Sequence, residues 1–241
     1  MAPAEKERAR ELTRRTLVTT VKGPGPLTMV RINGVGTPFW EDDLGAIAGL
    51  DLDAIVLPKA APEAVRALGL DGAPVLAICE TAVGVRLAYE IACEERVFAL
   101  ALGAADLGAE LGLEPRADGQ EILYARSKLV VESAAAGVRP PFDVVHLDVR
   151  DAEGLAEEAG LARSLGLRGK LCIHPAQVEV VNAVFAPTAD EVAWAERVLA
   201  AFDAAVAEGR GAVGLEGTMV DLPVVERARN VLAEAKGAGG R

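Results

Sequence analysis

Short aliphatic segments alternate with helix-like segments along most of this chain. Six segments have the length and composition of buried β-strands: residues 27–32, 55–57, 75–79, 97–102, 144–147 and 171–173. The segments between them carry hydrophobic residues at helical spacing, over residues 40–49, 61–68, 82–93, 120–136 and 154–165. Strands that alternate with helices pair in parallel through right-handed crossovers. The order of the segments therefore predicts an α/β fold.

The pattern changes towards the C-terminus. Thr188 precedes a run of hydrophobic residues at helical spacing, and Glu191 follows it three positions later. This spacing is the signature of a capping box at the start of a helix. An extended piece and a last helix over residues 223–235 complete a small unit. We therefore predict a main domain over residues 1–186 and a C-terminal helical lid subdomain over residues 187–241.

Charge and hydropathy exclude several classes of protein. The chain has 36 acidic and 25 basic residues, a net charge of -11, and no Lys/Arg-rich run, so we expect no binding to nucleic acid. A membrane span would need about 18 consecutive apolar residues, and the sequence has no such run. The three cysteines are too widely spaced for a zinc site or a disulfide framework. These features predict a cytoplasmic protein that acts on small molecules.

Polar or ionisable residues follow each predicted strand, at the point where the strand ends. In chain order they are Arg31 with Asn33, Lys59, Glu80, Asp106, Asp148 with Arg150, and His174. In an eight-stranded α/β barrel the C-terminal strand ends converge on one face, and that face carries the active site. The sequence therefore predicts a functional site at the C-terminal ends of the strands.

Glu80 and Asp106 follow successive predicted strands, so their side chains are expected to reach a common point. Two carboxylates without His or Cys nearby favour a hard cation such as Mg²⁺, which keeps its other positions for water and substrate oxygens. A structural alternative assigns both residues to capping. In that case Glu80 caps the helix that follows it, and Asp106 caps the turn after its own strand. Spacing alone leaves both interpretations open.

Four segments together resemble the citrate lyase beta-subunit-like family, the acyl-CoA branch of the HpcH/HpaI aldolases that includes malyl-CoA and citramalyl-CoA lyases. The segments are RINGVGTPFWEDDL, ICETAVGV, LGAADLGAELG and GKLCIHPAQVEVVN. The resemblance extends over residues 27–235 and implies a Mg²⁺-dependent TIM (β/α)8 barrel. It also implies a reaction that cleaves or forms a 3-hydroxyacyl-CoA, such as citryl-CoA, malyl-CoA or citramalyl-CoA. The products of cleavage are an acyl-CoA and a 2-oxo acid.

The resemblance assigns roles to three residues at the strand ends. Glu80 and Asp106 resemble the metal ligands, and Arg31 resembles the arginine that holds the 2-oxo acid portion of the substrate. Arg31 is also expected to offset the negative charge that develops on the enolate. The resemblance thus favours the metal-ligand interpretation of Glu80 over the capping interpretation.

Two further motifs extend the expected site. GTMVDLPVVERA resembles the segment in which an aspartate enters the neighbouring subunit's site, so Asp221 is the candidate acid for the enolate carbon. The structural alternative for Asp221 is a helix cap. His174 and Pro175 in CIHPAQ resemble the family's His-Pro turn and are expected to shape the wall near the CoA chain. The resemblance implies a homotrimer or a multiple of one, such as a hexamer.

Three other cations have open interpretations. Lys59 is either a structural ion-pair partner or a cation at the mouth of the barrel, and the sequence favours the first. Arg126 and Lys128 are either contacts for CoA phosphates or part of a solvated helix face, and the sequence favours the second.

One part of the family's pattern has no counterpart. The motifs like LFVPG and DLEDAV that begin the barrel are absent, and residues 3–17 resemble the helix after the second strand. We therefore expect a TIM barrel truncated to about six strands. Two alternatives remain open: a metal-dependent aldolase of free 2-oxo acids, and a non-catalytic truncated homologue. The C-terminal subdomain argues against the aldolase, which needs no cover for CoA.

Overall fold

A sheet of five parallel strands is the main feature of the computed structural model, which describes residues 5–19, 25–69 and 72–239. The order of the strands in space follows their order in the chain. They are β1 (Met29–Arg31), β2 (Ala54–Leu57), β3 (Val75–Cys79), β4 (Val97–Leu102) and β5 (Arg139–Phe142). Every crossover between neighbouring strands contains at least one helix. The predicted α/β fold is confirmed.

The helices of the main part of the chain are mostly short. They are α1 (Lys6–Thr19), α2 (Trp40–Ile47), α3 (Pro62–Arg66), α4 (Ala82–Arg86), α5 (Ala88–Ala92), α6 (Ala104–Leu111), α7 (Leu123–Ala136), α8 (Ala152–Leu165) and α9 (Ala176–Phe185). Each segment predicted as helical contains a helix, although residues 82–93 divide into α4 and α5. Within the described ranges, no helix combines the length and apolar composition that crossing a membrane requires.

The chain divides into two compact units, Met1–Val181 and Asn182–Arg241. The second unit consists of α10 (Ala189–Ala207), a hairpin of β6 (Val213–Leu215) and β7 (Thr218–Val220), and α11 (Leu222–Gly239). Its core is made by side chains from these elements: Ala195, Val198, Phe202, Val220, Val225 and Ala228.

The capping box predicted at the start of α10 is confirmed. The Thr188 hydroxyl accepts a hydrogen bond from the Glu191 backbone N–H at 3.2 Å. In return, the Glu191 carboxylate accepts one from the Thr188 backbone N–H at 2.8 Å. Two N–H groups that would otherwise lack partners are thereby satisfied at the start of the long helix.

The two faces of the five-stranded sheet have different neighbours. One face packs against helices and forms the main hydrophobic core, in which Leu57, Cys79 and Leu102 are fully buried. The opposite face carries a second, smaller cluster built around Leu76, Ile78, Ala99 and Ala101. Its packing neighbours are Met29, Val56, Phe98, Phe142 and Leu171. All of these residues lie on strands except Leu171, so the described helices contribute to one face of the sheet only.

This difference between the faces decides where two of the predicted functional side chains lie. Side chains alternate between the two faces along a strand. Glu80 therefore lies on the same face of the sheet as Leu76 and Ile78, and Arg31 lies on the same face as Met29. Both are directed to the face that carries the smaller cluster.

The positions of the last two predicted strands are wrong. The fifth strand is β5, which lies before the predicted residues 144–147, and residues 171–173 form no strand. Two consecutive prolines in β5, Pro140 and Pro141, made this segment an unlikely strand on sequence grounds. The sheet accordingly has five strands where six were expected.

A side-chain amide takes the place of the missing strand pairing. The two segments meet in one isolated parallel bridge, between Asp143 and Lys170. Beyond it, the Ile173 N–H donates to Gln177 Oε1 at 2.9 Å, and Gln177 Nε2 donates to the His146 carbonyl at 2.8 Å. Because the buried Gln177 amide satisfies these backbone groups, the two segments do not extend their ladder.

A buried ion cluster lies at the same bridge. Arg126 donates to both carboxylate oxygens of Asp143, at 2.8 and 3.0 Å, and Lys170 Nζ lies 3.0 Å from Asp143 Oδ2. Glu158 accepts from Arg126 at 2.8 Å and lies 3.1 Å from Lys170 Nζ. The side chains of Arg126, Asp143 and Lys170 are fully buried. Both sequence interpretations of Arg126 are therefore wrong, because its charge is paired inside the protein.

Candidate active site

Glu80 directly follows β3 and lies at the C-terminal edge of the sheet. It is buried, with 5% of its surface exposed, and its Oε1 accepts the backbone N–H of Lys59 at 2.9 Å. Lys59 follows β2, the neighbouring strand, and has a left-handed backbone with φ 48°. For a residue with a side chain this conformation costs on the order of 1–3 kcal/mol and is typical of functional sites.

Asp106 lies in the first turn of α6, after β4. Its Oδ1 is 2.7 Å from Lys59 Nζ, and both side chains are about half exposed. Lys59 therefore contacts both candidate carboxylates, Glu80 through its backbone and Asp106 through its ammonium group. The structure brings the two carboxylates together around one residue.

The capping alternative does not describe either carboxylate. Thr81 is the N-cap of α4, and its hydroxyl accepts from the Gly84 N–H at 2.9 Å. Glu80 is thus not needed for that cap. The N-cap position of α6 is Gly103, which makes no side-chain cap, and the Asp106 carboxylate pairs with Lys59 instead.

Gly103 leaves the space that the Glu80 side chain occupies. A Cβ atom at Gly103 would lie 2.5 Å from Glu80 Cβ and 2.7 Å from Glu80 Oε2, and neither separation is sterically tolerable. The backbone N–H of Gly103 also donates to the Cys79 carbonyl at 3.1 Å, which fixes β4 beside the end of β3. A glycine is required here by close packing against a carboxylate.

Replacing Gly103 by Ala is expected to displace the Glu80 carboxylate and to weaken divalent-cation binding by about tenfold or more, as for groups that orient metal ligands. Calorimetric titration with Mg²⁺ would measure the change. The matched control is Gly108→Ala in α6, the helix that follows Gly103, where a Cβ atom would have only Leu113 Cβ nearby, at 3.9 Å. Unchanged cation affinity in Gly103→Ala would contradict this account of Gly103.

Arg31 ends β1 and is exposed. It also lines a cavity of about 480 Å³ between α1, β1 and α2, together with Lys6, Arg10 and Asp43. In that cavity Arg10 is paired with Asp43 at 2.8 Å. Among the described residues the Arg31 guanidinium has no hydrogen bond or ion pair, so it remains available for an anionic ligand.

Electrostatic coupling places Arg31, Lys59 and Asp106 around Glu80. Burial raises the pKa of the Glu80 carboxyl above its usual range, and the nearby Asp106 adds to this effect. The Lys59 N–H and the positive charges of Arg31 and Lys59 oppose it only in part. The ion pair with Asp106 raises the pKa of the Lys59 ammonium. An added cation would therefore stabilise Glu80 in its charged form.

His174 and Pro175 lie in an exposed turn before α9. The His174 Nδ1 accepts from the Ala176 N–H at 3.2 Å. Within the described residues, His174 forms no hydrogen bond or ion pair with Glu80 or Asp106. The buried Gln177 amide holds the turn to the segment at His146.

Asp221 belongs to the second unit and immediately precedes α11. Its backbone carbonyl accepts from the Val225 N–H at 3.0 Å, which begins the helix. Among the described residues its carboxylate forms no hydrogen bond or ion pair, so it is not serving as a side-chain cap.

The sequence predicted Lys59 as an ion-pair partner, and its ion pair with Asp106 confirms this. Two other features that build the site were missed, the backbone of Lys59 and the residue Gly103. The left-handed backbone of Lys59 has no sequence signal, because glycine or asparagine usually marks that conformation. Gly103 carried a signal that was not used: a glycine between a buried strand and a helix, where a neighbouring backbone or side chain approaches closely.

The chain matches a known protein family over most of its length. The family described as HpcH/HpaI aldolase/citrate lyase matches residues 1–175. The chain belongs to the HpcH/HpaI aldolase/citrate lyase family. The resemblance predicted from the four sequence segments is therefore confirmed.

Members of the HpcH/HpaI family from several bacteria are similar to the chain over most of its length. Citrate lyase subunit beta of Leuconostoc mesenteroides is 39% identical over 95% of this chain and 80% of its own. A (3S)-malyl-CoA thioesterase of Cereibacter sphaeroides is 38% identical over 98% of this chain and 83% of its own. The crystal structure of CitE from Mycobacterium tuberculosis with magnesium, acetoacetate and coenzyme A has a TM-score of 0.83 at 40% identity. The match covers 98% of this chain and 86% of the CitE chain.

Proposed function

We propose that this protein is a Mg²⁺-dependent carbon–carbon lyase that converts a 3-hydroxyacyl-CoA to an acyl-CoA and a 2-oxo acid, or catalyses the reverse. Citryl-CoA, malyl-CoA and citramalyl-CoA are the candidate substrates. The observation that carries the proposal is the pair of carboxylates, Glu80 and Asp106, joined through Lys59 at the C-terminal edge of a parallel sheet. Relatives crystallised with magnesium, coenzyme A and oxaloacetate support it.

The residues present fit Mg²⁺. Glu80 and Asp106 supply anionic oxygen donors, the type that this ion prefers, and one or two carboxylates are the usual protein contribution. The Glu80 carboxylate is buried with a raised pKa, so it lacks full charge compensation from the protein. Gly103 leaves no side chain over it. When bound, the ion supplies a Lewis acid for the substrate hydroxyl oxygen.

The other proposed roles follow from the reaction. Cleavage breaks the Cα–Cβ bond while the hydroxyl gives its proton to water and becomes a carbonyl, and the electron pair of the broken bond passes to the thioester enolate. Arg31 holds the carboxylate of the 2-oxo acid portion and offsets the developing negative charge. Asp221, from a neighbouring subunit, gives a proton to the enolate carbon and so completes the acyl-CoA. His174 and Pro175 line the path of the CoA chain.

We propose further that the five strands are an arc of a TIM (β/α)8 barrel within a domain of residues 1–186. Described helices cover one face of the sheet only, and the candidate residues share the C-terminal edge, as in that fold. Residues 187–241 then act as a lid and as the contact between subunits of a homotrimer or hexamer. The three unpaired cysteines support a cytoplasmic location.

A product assay distinguishes this proposal from its alternatives. The protein is incubated with Mg²⁺ and each candidate CoA thioester, and both the 2-oxo acid and free CoA thiol are measured. We expect the 2-oxo acid to appear without free thiol. Free thiol alone would instead favour a thioesterase like the Cereibacter sphaeroides relative.

Two further outcomes of the assay identify the other candidates. Cleavage of hydroxy-2-oxo acids that carry no CoA would identify an aldolase of free 2-oxo acids. A protein without turnover that also fails to bind acetyl-CoA or propionyl-CoA in the presence of Mg²⁺ would be a non-catalytic homologue. Either result would contradict the lyase proposal.

A further inference from the structure

Lys59 connects the parts of the candidate site in a way that the proposed reaction does not yet use. Its backbone N–H binds Glu80 and is held in place by the left-handed backbone. Its ammonium group lies 2.7 Å from Asp106 Oδ1, and its side chain is 56% exposed. The backbone of Lys59 is therefore fixed, whereas its side chain has room in solvent to move.

The negative charges at the site exceed the positive ones even when the ammonium group is counted. Glu80, Asp106 and Glu110 contribute three negative charges, and Arg31 and Lys59 contribute two positive charges. A divalent cation would turn this excess of one negative charge into an excess of one positive charge. Such an excess favours the binding of an anionic substrate, because opposite charges attract strongly at a partly dehydrated site.

The Lys59 ammonium group also binds the Asp106 oxygen that a metal ion would need. Asp106 Oδ1 is the acceptor of the Lys59 bond and is at the same time a proposed metal ligand. An ion pair between half-exposed groups is weak, so a divalent cation can displace it. The two cations therefore compete for one carboxylate.

We propose that Lys59 is an internal counter-cation that neutralises Asp106 in the metal-free protein. When a divalent ion binds Asp106, the ion pair breaks, and the Lys59 ammonium group then binds the carboxylate of the 2-oxo acid. This inference rests on the proposed function, since it takes Asp106 as a metal ligand. It makes Lys59 a substrate-binding residue with a second, competing role. It also predicts an order of binding in which the metal ion precedes the 2-oxo acid.

The test measures Mn²⁺ binding to the metal-free protein by electron paramagnetic resonance, which does not depend on turnover. Lys59→Met keeps the length of the side chain and removes its charge. We expect it to bind Mn²⁺ about threefold to tenfold more tightly than the wild type, because the competing ion pair is gone. Lys59→Arg keeps the charge and should bind Mn²⁺ as the wild type does.

A second measurement follows oxaloacetate binding to the Mn²⁺-loaded proteins. Lys59→Met is expected to bind oxaloacetate about tenfold more weakly, although its metal site is better occupied. Tighter metal binding together with weaker 2-oxo acid binding is a combination that a purely structural role for Lys59 does not produce. The control is Arg116→Met, which removes another exposed cation, paired with Asp118 at 2.9 Å.

The outcomes separate this inference from the proposed function. If the wild type binds Mn²⁺ and Glu80→Gln does not, but Lys59→Met binds it as the wild type does or more weakly, the competing role of Lys59 is wrong and the metal site stands. Unchanged oxaloacetate affinity in Lys59→Met would overturn the substrate-binding role. A wild type that binds no Mn²⁺ would overturn both the inference and the metal-dependent function.

Discussion

Glu80→Gln is expected to lower kcat/KM for lyase turnover by at least about a hundredfold, and Asp106→Asn by a similar factor, because each removes one anionic donor from the proposed metal site. The amide has nearly the same shape as the carboxylate, so the fold should persist. The assay is 2-oxo acid release under saturating Mg²⁺. Turnover in either variant close to that of the wild type would refute the assignment of these ligands.

The Glu80→Gln variant also shows how ionisation of Glu80 affects the stability of the fold. Burial raises the pKa of Glu80, so the folded chain binds the proton more tightly than the unfolded chain does. Ionisation of Glu80 therefore destabilises the fold as the pH rises through the usual carboxyl range, and the penalty is complete above the raised pKa. At neutral pH the metal-free Glu80→Gln protein should have a Tm equal to or above that of the wild type.

With Mg²⁺ present, the wild type should have a higher Tm than Glu80→Gln. A ligand that binds only the folded state raises Tm, so Mg²⁺ is expected to stabilise the wild type and to leave Glu80→Gln unchanged. The control is Glu110→Gln, an exposed carboxylate on α6 that accepts the Ala82 N–H at 3.2 Å. This variant should keep both turnover and the Mg²⁺ effect on Tm.

Mixing Asp221→Ala chains with Glu80→Gln chains is expected to restore activity that neither variant has alone. If Asp221 acts in the site of a neighbouring subunit, an interface is intact when a normal Glu80 meets a normal Asp221. Random assembly of equal amounts in a ring of heterologous interfaces makes about a quarter of the sites intact. Turnover of the mixture, with mixed oligomers identified by native mass spectrometry, measures this.

The control for the mixing experiment is Asp203→Ala, which removes another exposed carboxylate from the second unit. It should be active by itself. Mixed oligomers without recovered activity, from parents that are each inactive, would mean that Asp221 does not act across an interface.

The strands at the centre of the sheet were predictable from the sequence because they are uninterrupted aliphatic runs. β3 and β4 have the predicted bounds, and each is buried almost throughout. Such runs have few alternatives to a strand in a parallel sheet. The last part of the sheet was not predictable, because its strand contains two prolines and its next contact is one bridge beside a buried amide.

The candidate site was predictable in its residue types and not in its geometry. Charged residues at strand ends identified Glu80 and Asp106, since parallel strands bring their C-terminal ends to one edge. The link between them depends on the backbone conformation of Lys59 and on the space at Gly103. Both are tertiary properties that a linear pattern does not contain.

The buried ion cluster has a consequence for how this sequence can vary. Arg126, Asp143, Glu158 and Lys170 come from four separate stretches, and three of these side chains have no access to water. Losing one partner of a buried pair costs about 3–5 kcal/mol, which is a large part of the 5–15 kcal/mol that stabilises a typical domain. Single substitutions at Arg126, Asp143 or Lys170 are therefore expected to lower the free energy of unfolding by a large fraction, whereas an all-apolar set of the same volume would leave no charge unpaired.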